Sequence, residues 1–234
     1  MFGSKYAAAL FLFLWKGENL HLMESITTGI EFFHKGGAIM YVLLLCSFMV
    51  IAIGVERWQY FRREDSDRDF ARKFSQHLSQ GDIPAAILLA KKSKGLLAGI
   101  LAEACPLAGR GSMYSFMEVQ SGIALSKLKQ RLYYLNVIVT MAPLLGLLGT
   151  ISGMISAFSV FNLESGQATA ITGGVGEALI ATAFGLCVAI ISLAIHAYFT
   201  QRLDNIITDM EQCFSMAEAK EKQLAGFMGA GEAV

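Results

Sequence analysis

Three long apolar stretches divide the chain. They cover residues 36–55, 135–161 and 175–199, and Glu177 is the one charged residue among them. About 20 helical residues cross the hydrocarbon core of a bilayer, so each stretch is long enough to span it. The pattern predicts an all-α membrane protein with three transmembrane helices.

The polar segments between these stretches also carry helical periodicity. Leu125, Leu128, Leu132 and Leu135 recur at steps of three and four, which predicts one continuous helix leading into the second span. The same spacing at Leu203, Ile206, Ile207 and Met210 predicts that the third span continues as a helix beyond the membrane. Asp82 is a candidate N-cap, and Pro84 and Pro106 are expected to mark breaks. The glycine-rich tail from Ala225 is predicted to be frayed.

The distribution of basic residues predicts the orientation. Thirteen of the nineteen Lys and Arg residues lie in the segment 56–134, whereas the link 162–174 contains none. The positive-inside rule therefore places 56–134 and 200–234 in the cytoplasm as a helical domain and a C-terminal helix with its tail. The N-terminal segment 1–35 and the link lie on the other side. Residues 7–15 could be a signal-peptide core, and a short interfacial helix is the alternative.

Composition argues against soluble enzyme chemistry. Hydrophobic residues make up 54% of the chain and charged residues 16%. The net charge is zero, which by itself says nothing about nucleic acid, and we predict no nucleic-acid partner. The four cysteines have no disulfide or zinc spacing, and the four histidines no ligand spacing. No phosphate-binding glycine loop is present. We therefore predict no enzymatic activity, no metal and no cofactor.

The second and third spans each carry a face of small residues. In the second, Ala142, Gly146, Gly149, Gly153 and Ser156 recur at alternating steps of four and three. The third span has a face with the same alternating spacing, which consists of Ala178, Thr182, Gly185, Ala189, Ser192 and His196. Such faces allow membrane helices to approach closely, so Gly146, Gly149, Gly153 and Gly185 are predicted packing residues.

Few polar groups are offered to the membrane. Thr150 and Thr182 are expected at similar depths, which suggests a lined path for an ion. The alternative is that each hydroxyl only bonds to helix backbone. Glu177 either handles ions or caps the start of its helix. One carboxylate and a few hydroxyls do not make a complete relay, so an ion path needs further copies of the chain or a partner that brings another acid.

Two motifs resemble a known family. They are Ala-Pro-Leu-Leu-Gly-Leu-Leu-Gly-Thr-Ile-Ser-Gly-Met-Ile-Ser-Ala-Phe (142–158) and Gly-Glu-Ala-Leu-Ile-Ala-Thr-Ala-Phe-Gly-Leu (176–186). They are similar to the MotA/TolQ/ExbB proton channel family, closest to ExbB and TolQ. The first span and its exit, Val55-Glu56-Arg57-Trp58, are similar too. The resemblance covers roughly residues 32–201.

The resemblance implies a homopentameric ring in the bacterial inner membrane, with a periplasmic N-terminus and a cytoplasmic C-terminus. It implies a dimeric single-span partner of the ExbD/TolR kind, whose membrane aspartate supplies the missing acid. Work would pass to a TonB- or TolA-like protein for outer-membrane uptake. By motif position, Thr150 and Thr182 would line the proton route, and Glu177 would be the membrane carboxylate of the third span.

Several alternatives stay open at this stage. A passive membrane scaffold would use the same glycine faces for packing alone. A small solute transporter is disfavoured because the chain shows neither inverted repeats nor broken helices. Tol-type and gliding-type motors share these motifs with TonB-type uptake, and sodium is the alternative ion. Many relatives carry a proline midway along the third span, where this chain has Ile190, Ile191 and Ser192.

Overall fold

The computed structural model describes residues 37–65, 68–163 and 168–231, and these are almost entirely helical. The predictions for the N-terminal segment 1–35 lie outside the described residues. These described residues form seven α-helices, which are α1 (Gly37–Glu64), α2 (Arg68–Gln80), α3 (Ile83–Lys92), α4 (Leu96–Ala104), α5 (Met113–Leu163), α6 (Ala168–Ala219) and α7 (Glu221–Gly231). A short 3-10 helix, Cys105–Leu107, follows α4.

Helices α1, α5 and α6 are long and apolar enough to cross a membrane. Their apolar side chains are largely uncovered within the chain: Leu144 is 64% exposed and Ile190 65%. Exposed apolar surface of this extent is expected where lipid or other subunits cover a helix.

The predicted continuity of the long helices is confirmed. Helix α5 runs for 51 residues and α6 for 52, each without a break between its apolar and its polar part. Both helices also extend into the segment 162–174 that the sequence assigned to a link. Pro143 lies inside α5 without ending it.

The chain forms two compact units. The described part of the first comprises residues 37–48, 139–163 and 168–190, and that of the second comprises 49–65, 68–138 and 191–231. The first unit is built from apolar membrane-span segments with a core of small residues, and Ala142 and Ala181 are fully buried in it.

The second unit has a conventional hydrophobic core. Phe61, Phe74, Leu78 and Leu101 are fully buried. The leucine periodicity ahead of the second span is also confirmed, because Leu128, Leu132 and Leu135 are all buried. Asp82 caps α3 as predicted, since its carboxylate accepts a hydrogen bond from the Ala85 backbone N–H at 3.3 Å.

The prediction of a frayed tail from Ala225 is wrong as far as Gly231. Helix α7 covers this segment despite its glycines, because Leu224 is fully buried and Glu221 accepts a hydrogen bond from the Gly109 N–H at 3.1 Å. Gly109 has φ +80°, and a Cβ there would lie 2.7 Å from Ala225 Cβ. Tertiary docking thus outweighs the weak helix propensity of glycine.

Candidate functional site

The glycine face of α5 lies against α6 in the first unit. A Cβ added at Gly149 would come within 2.6 Å of Ala181 Cβ, and one at Gly153 within 2.8 Å of Ala178 Cβ. Real Cβ atoms essentially never lie within 3.0 Å of a non-bonded heavy atom, so a side chain at either position would force the helices to shift. Small residues on the two facing helices therefore set the distance between their backbones.

Gly146 and Gly185 meet backbone rather than side chains. A Cβ at Gly185 would lie 2.6 Å from the Ala142 carbonyl oxygen and 3.1 Å from Gly146 Cα. One at Gly146 would lie 3.0 Å from Thr182 Cα. Rotating a neighbouring side chain cannot relieve a clash with main-chain atoms, so a Cβ at either position would require the two backbones to separate.

Near the C-terminal end of α5, the residues that contact α6 no longer follow the predicted small-residue face. Ser156, the last member of the predicted small-residue face, is exposed, whereas Ala157 is buried. A Cβ at Gly174 would lie 2.4 Å from Ala157 Cβ. Alternating steps of four and three average 3.5 residues, whereas a straight α-helix turns every 3.6, so the small-residue face drifts by about 40° over two heptads.

Thr182 lies within the glycine contact. Its hydroxyl donates to the Gly146 carbonyl oxygen on the facing helix at 2.9 Å, and the bond is partly buried. A carbonyl can only accept, so the Thr182 proton is committed to this bond and its oxygen keeps lone pairs for another donor. The side chain links the two helices and offers an acceptor.

Thr150 lies one helical turn beyond Gly146, and its hydroxyl bonds within its own helix. It donates to the Leu147 carbonyl oxygen at 2.7 Å, in an exposed position. This is the local backbone bond that threonine commonly makes in membrane helices. Its oxygen likewise keeps lone pairs for an incoming donor.

The side chain of Glu177 lies outside the described residues. Its neighbours differ in environment, because Gly176 is exposed while Ala178 is 4% exposed and packs against Gly153. In the sequence, Glu177 is the one acidic residue of the three apolar stretches.

A buried arginine in the second unit was missed by sequence reasoning. Arg57 is only 4% exposed, and its Nη1 donates to the carbonyl oxygens of Lys127 and Leu128, both at 3.3 Å. Its guanidinium lies 4.7 Å from the Tyr60 ring centroid. Arg57 Nε is buried without a hydrogen-bond partner in the described structure.

Glu56 completes this cluster. It accepts from Arg57 Nη2 at 3.1 Å and is also paired with Arg131. The cluster fastens the end of the first span to α5. A sequence signal was present in the adjacent acid and base directly after an apolar span, but their partners lie about 70 residues away.

Ser192 fastens α6 to α5 within the same unit. It is fully buried, and its hydroxyl donates to the Leu135 carbonyl oxygen at 3.0 Å. The sequence placed Ser192 on the polar face of the third span, although not as a site residue. Such interhelical hydroxyl bonds add modestly to helix association in membranes.

The described residues contain no cluster of three or more His, Cys, Asp or Glu side chains that could hold a metal ion. Outside the spans, two thiols are inert. Burial raises the pKa of Cys105 and of Cys213 to about 11, so both stay protonated at neutral pH.

Comparison with known proteins agrees with this architecture. Residues 92–212, about half of the chain, match the MotA/TolQ/ExbB proton channel family. The chain is 32% identical over 170 residues to the ExbB-like 1 protein of Synechocystis sp., covering 70% of this chain and 67% of that protein. It is 33% identical over 164 residues to ExbB-like 3 of the same organism, covering 68% and 78%.

A third relative is the ExbB homolog of Methanothermobacter thermautotrophicus, which is 27% identical over 188 residues, covering 79% of this chain and 67% of that protein. All three relatives carry names of the biopolymer-transport ExbB type. With three apolar helices and a tight glycine contact between two of them, this chain belongs to the MotA/TolQ/ExbB proton channel family.

Proposed function

We propose that this chain is the ring-forming, stator-like subunit of a bacterial inner-membrane energy-transduction complex. A homopentamer encloses a single-span partner of the ExbD/TolR kind. Proton-motive force drives motion of that partner, and the work passes to a TonB- or TolA-like protein for outer-membrane uptake. Membership of a proton channel family supports the ion-conducting part of this proposal.

The Thr182 hydroxyl carries the proposal. It is fixed by the Gly146 carbonyl at 2.9 Å and keeps acceptor capacity for a donor outside the chain. A protonated carboxyl group on a partner helix is such a donor. Thr150 offers a second acceptor one turn beyond Gly146, and Glu177 adds the membrane carboxylate of the third span.

The need for other chains follows from the scarcity of carboxylates in the membrane spans. Apart from Glu177, the three apolar stretches contain no carboxylate, so one copy cannot relay a proton across the bilayer. Their exposed apolar side chains, such as Leu147 and Leu186, offer surface for lipid and for neighbouring subunits. Several copies around a partner aspartate supply both missing parts.

The proposed topology follows the basic residues. Residues 36–55, 135–161 and 175–199 span the membrane, with 1–35 and 162–174 periplasmic. Residues 56–134 and 200–234 are cytoplasmic, in keeping with the positive-inside rule.

Proton flux through reconstituted complexes tests the proposal. The complex with the single-span partner is placed in vesicles, a pH gradient is imposed, and Thr182→Val is compared with the unchanged protein. Valine keeps the volume and removes the hydroxyl. We expect flux to fall at least tenfold while the complex stays assembled, and Thr182→Ser to retain most of it.

Thr208→Val is the matched control. Thr208 lies in the polar part of α6, where its hydroxyl bonds to the Asp204 carbonyl oxygen of its own helix at 2.9 Å. Flux should be unchanged in this variant. Equal flux in Thr182→Val and Thr208→Val would remove Thr182 from the proton route.

A passive scaffold is the second candidate, favoured by the observation that both threonine hydroxyls bond to backbone carbonyls. It predicts no flux in any sample, together with loss of assembly when the glycine face is changed. Tol-type and gliding-type motors differ in the effector, so identification of the copurifying partner distinguishes them from TonB-type uptake.

A further inference from the structure

An apolar groove lies where α1 and α6 leave their apolar stretches. Its volume is about 540 Å³, within the range of small-molecule sites. The groove belongs entirely to the second unit. Its walls are Ile51, Gly54, Val55, Trp58 and Gln59 from α1 and Ala194, Ile195, Tyr198 and Phe199 from α6.

The chemistry of the groove changes in order along its length. Ile51, Val55, Trp58 and Arg62 recur at steps of four, three and four, so they share one face of α1. On α6, Ile195, Tyr198 and Arg202 follow the same order at steps of three and four. The groove therefore runs from aliphatic side chains to an aromatic pair, and two arginines follow beyond it on the same helix faces.

The aromatic pair is preorganised. The rings of Trp58 and Tyr198 stack with centroids 5.8 Å apart and planes at 18°, yet Trp58 remains 50% exposed. Trp and Tyr are enriched where a membrane protein meets the headgroup region. Such a pair is typical of the level at which hydrocarbon gives way to polar headgroups.

The arginines that follow the aromatic pair differ in their ion-pair partners. Arg202 contacts Asp65 through Nε and Nη2, both at 3.0 Å, and Arg63 lies 4.0 Å from Glu64. Arg62 is exposed and has no ion-pair partner among the described residues. An exposed cation therefore lies on the groove's own face.

We propose that this groove binds one anionic phospholipid of the surrounding bilayer. An acyl chain lies along the aliphatic part, the glycerol backbone lies at Trp58 and Tyr198, and the phosphate pairs with Arg62. The order of apolar, aromatic and cationic groups matches a phospholipid. An apolar helix from a second copy of the chain would leave Arg62 unpaired. The site is independent of the proton route.

Bromine quenching of Trp58 fluorescence tests this site. The sequence has two tryptophans, so Trp15→Phe leaves Trp58 as the one reporter. The full-length protein is reconstituted in vesicles that contain brominated phosphatidylglycerol or brominated phosphatidylcholine at equal fraction. We expect the anionic lipid to bind about fivefold more tightly, the equivalent of about 1 kcal/mol for one cation near the headgroups.

Arg62→Gln should abolish this preference. Arg63→Gln is the matched control, because Arg63 is next in sequence and 86% exposed but points about 100° around the helix from the groove face. It should keep the preference. Ala194→Phe fills the groove without altering charge and should lower quenching by the anionic lipid to the level of the zwitterionic lipid.

Three results would each overturn the proposal. Equal quenching by the two lipids would exclude headgroup selection. Equal losses in Arg62→Gln and Arg63→Gln would attribute the preference to general surface charge. Absence of quenching by either lipid would mean that protein, such as a second copy of the chain, covers the groove.

Discussion

Replacing Gly185 with alanine tests a close main-chain contact between α5 and α6. The added Cβ would lie 2.6 Å from the Ala142 carbonyl oxygen, where ordinary contact begins near 3.4 Å. The two backbones must therefore separate by about 0.8 Å at this point. Because the obstructing atom belongs to the main chain, no rotamer change can absorb the shift.

We expect Gly185→Ala to lower the free energy of unfolding by about 1–3 kcal/mol, the usual cost of overpacking a well-packed interior. Gly176→Ala is the control in the same apolar stretch, since a Cβ there meets nothing within 4 Å. It should be neutral or stabilise by up to about 1 kcal/mol, because alanine favours the helix.

The assay is reversible unfolding of the purified protein in mixed micelles of mild detergent and dodecyl sulfate, followed by circular dichroism. Gly149→Ala offers a further check, because its added Cβ would meet the Ala181 side chain at 2.6 Å. Adding Ala181→Gly should rescue Gly149→Ala but not Gly185→Ala. Equal unfolding free energies for Gly185→Ala and Gly176→Ala would refute this account of the contact.

Two further predictions concern the second unit. Arg57→Met should lower the free energy of unfolding by about 1.5–3 kcal/mol, because buried charge-assisted bonds are lost, whereas the exposed Arg63→Met should stay within about 0.5 kcal/mol in the same assay. The buried Cys105 and Cys213 thiols, with pKa about 11 against an ordinary 9.0, should resist maleimide at pH 8 until the protein unfolds, as peptide mass spectrometry would show. The two buried thiols should contribute fully to the free energy of unfolding below about pH 9, and their contribution should decline as the pH rises toward 11, because the thiols of the unfolded chain ionise first. Denaturant unfolding at pH 8 and at pH 10 measures this difference, and equal free energies of unfolding at the two pH values would contradict it.

The sequence could predict what helical periodicity encodes. Spacings of three and four located the buried faces of α5 and α6 and their continuity across the membrane boundary, because burial on one side of a helix leaves that signature. The same arithmetic gave the small-residue face that packs at Gly149 and Gly153.

Periodicity could not predict the partners across the contact. Helical spacing shows which face of α6 carries Thr182, but it does not show that the Gly146 carbonyl lies opposite. That depends on how far the two helices are shifted along each other. Arg57 was missed because charged side chains are almost never buried unless paired, and its carbonyl partners lie far along the chain. The tail was missed because docking of Leu224 is a tertiary effect.

The contact at Gly146 joins packing and proposed proton handling in one place. The absence of a Cβ lets α6 approach, and that approach brings the Thr182 hydroxyl to the Gly146 carbonyl oxygen. Any glycine substitution there moves the hydroxyl as well, so lost flux in such a variant would not separate the two roles. Thr182→Val does separate them, because it keeps the volume and the Gly146 carbonyl keeps its intrahelical bond. Loss of flux with an unfolding free energy lowered by no more than about 1 kcal/mol, the usual worth of an interhelical hydroxyl bond, would assign Thr182 to the chemistry of the route.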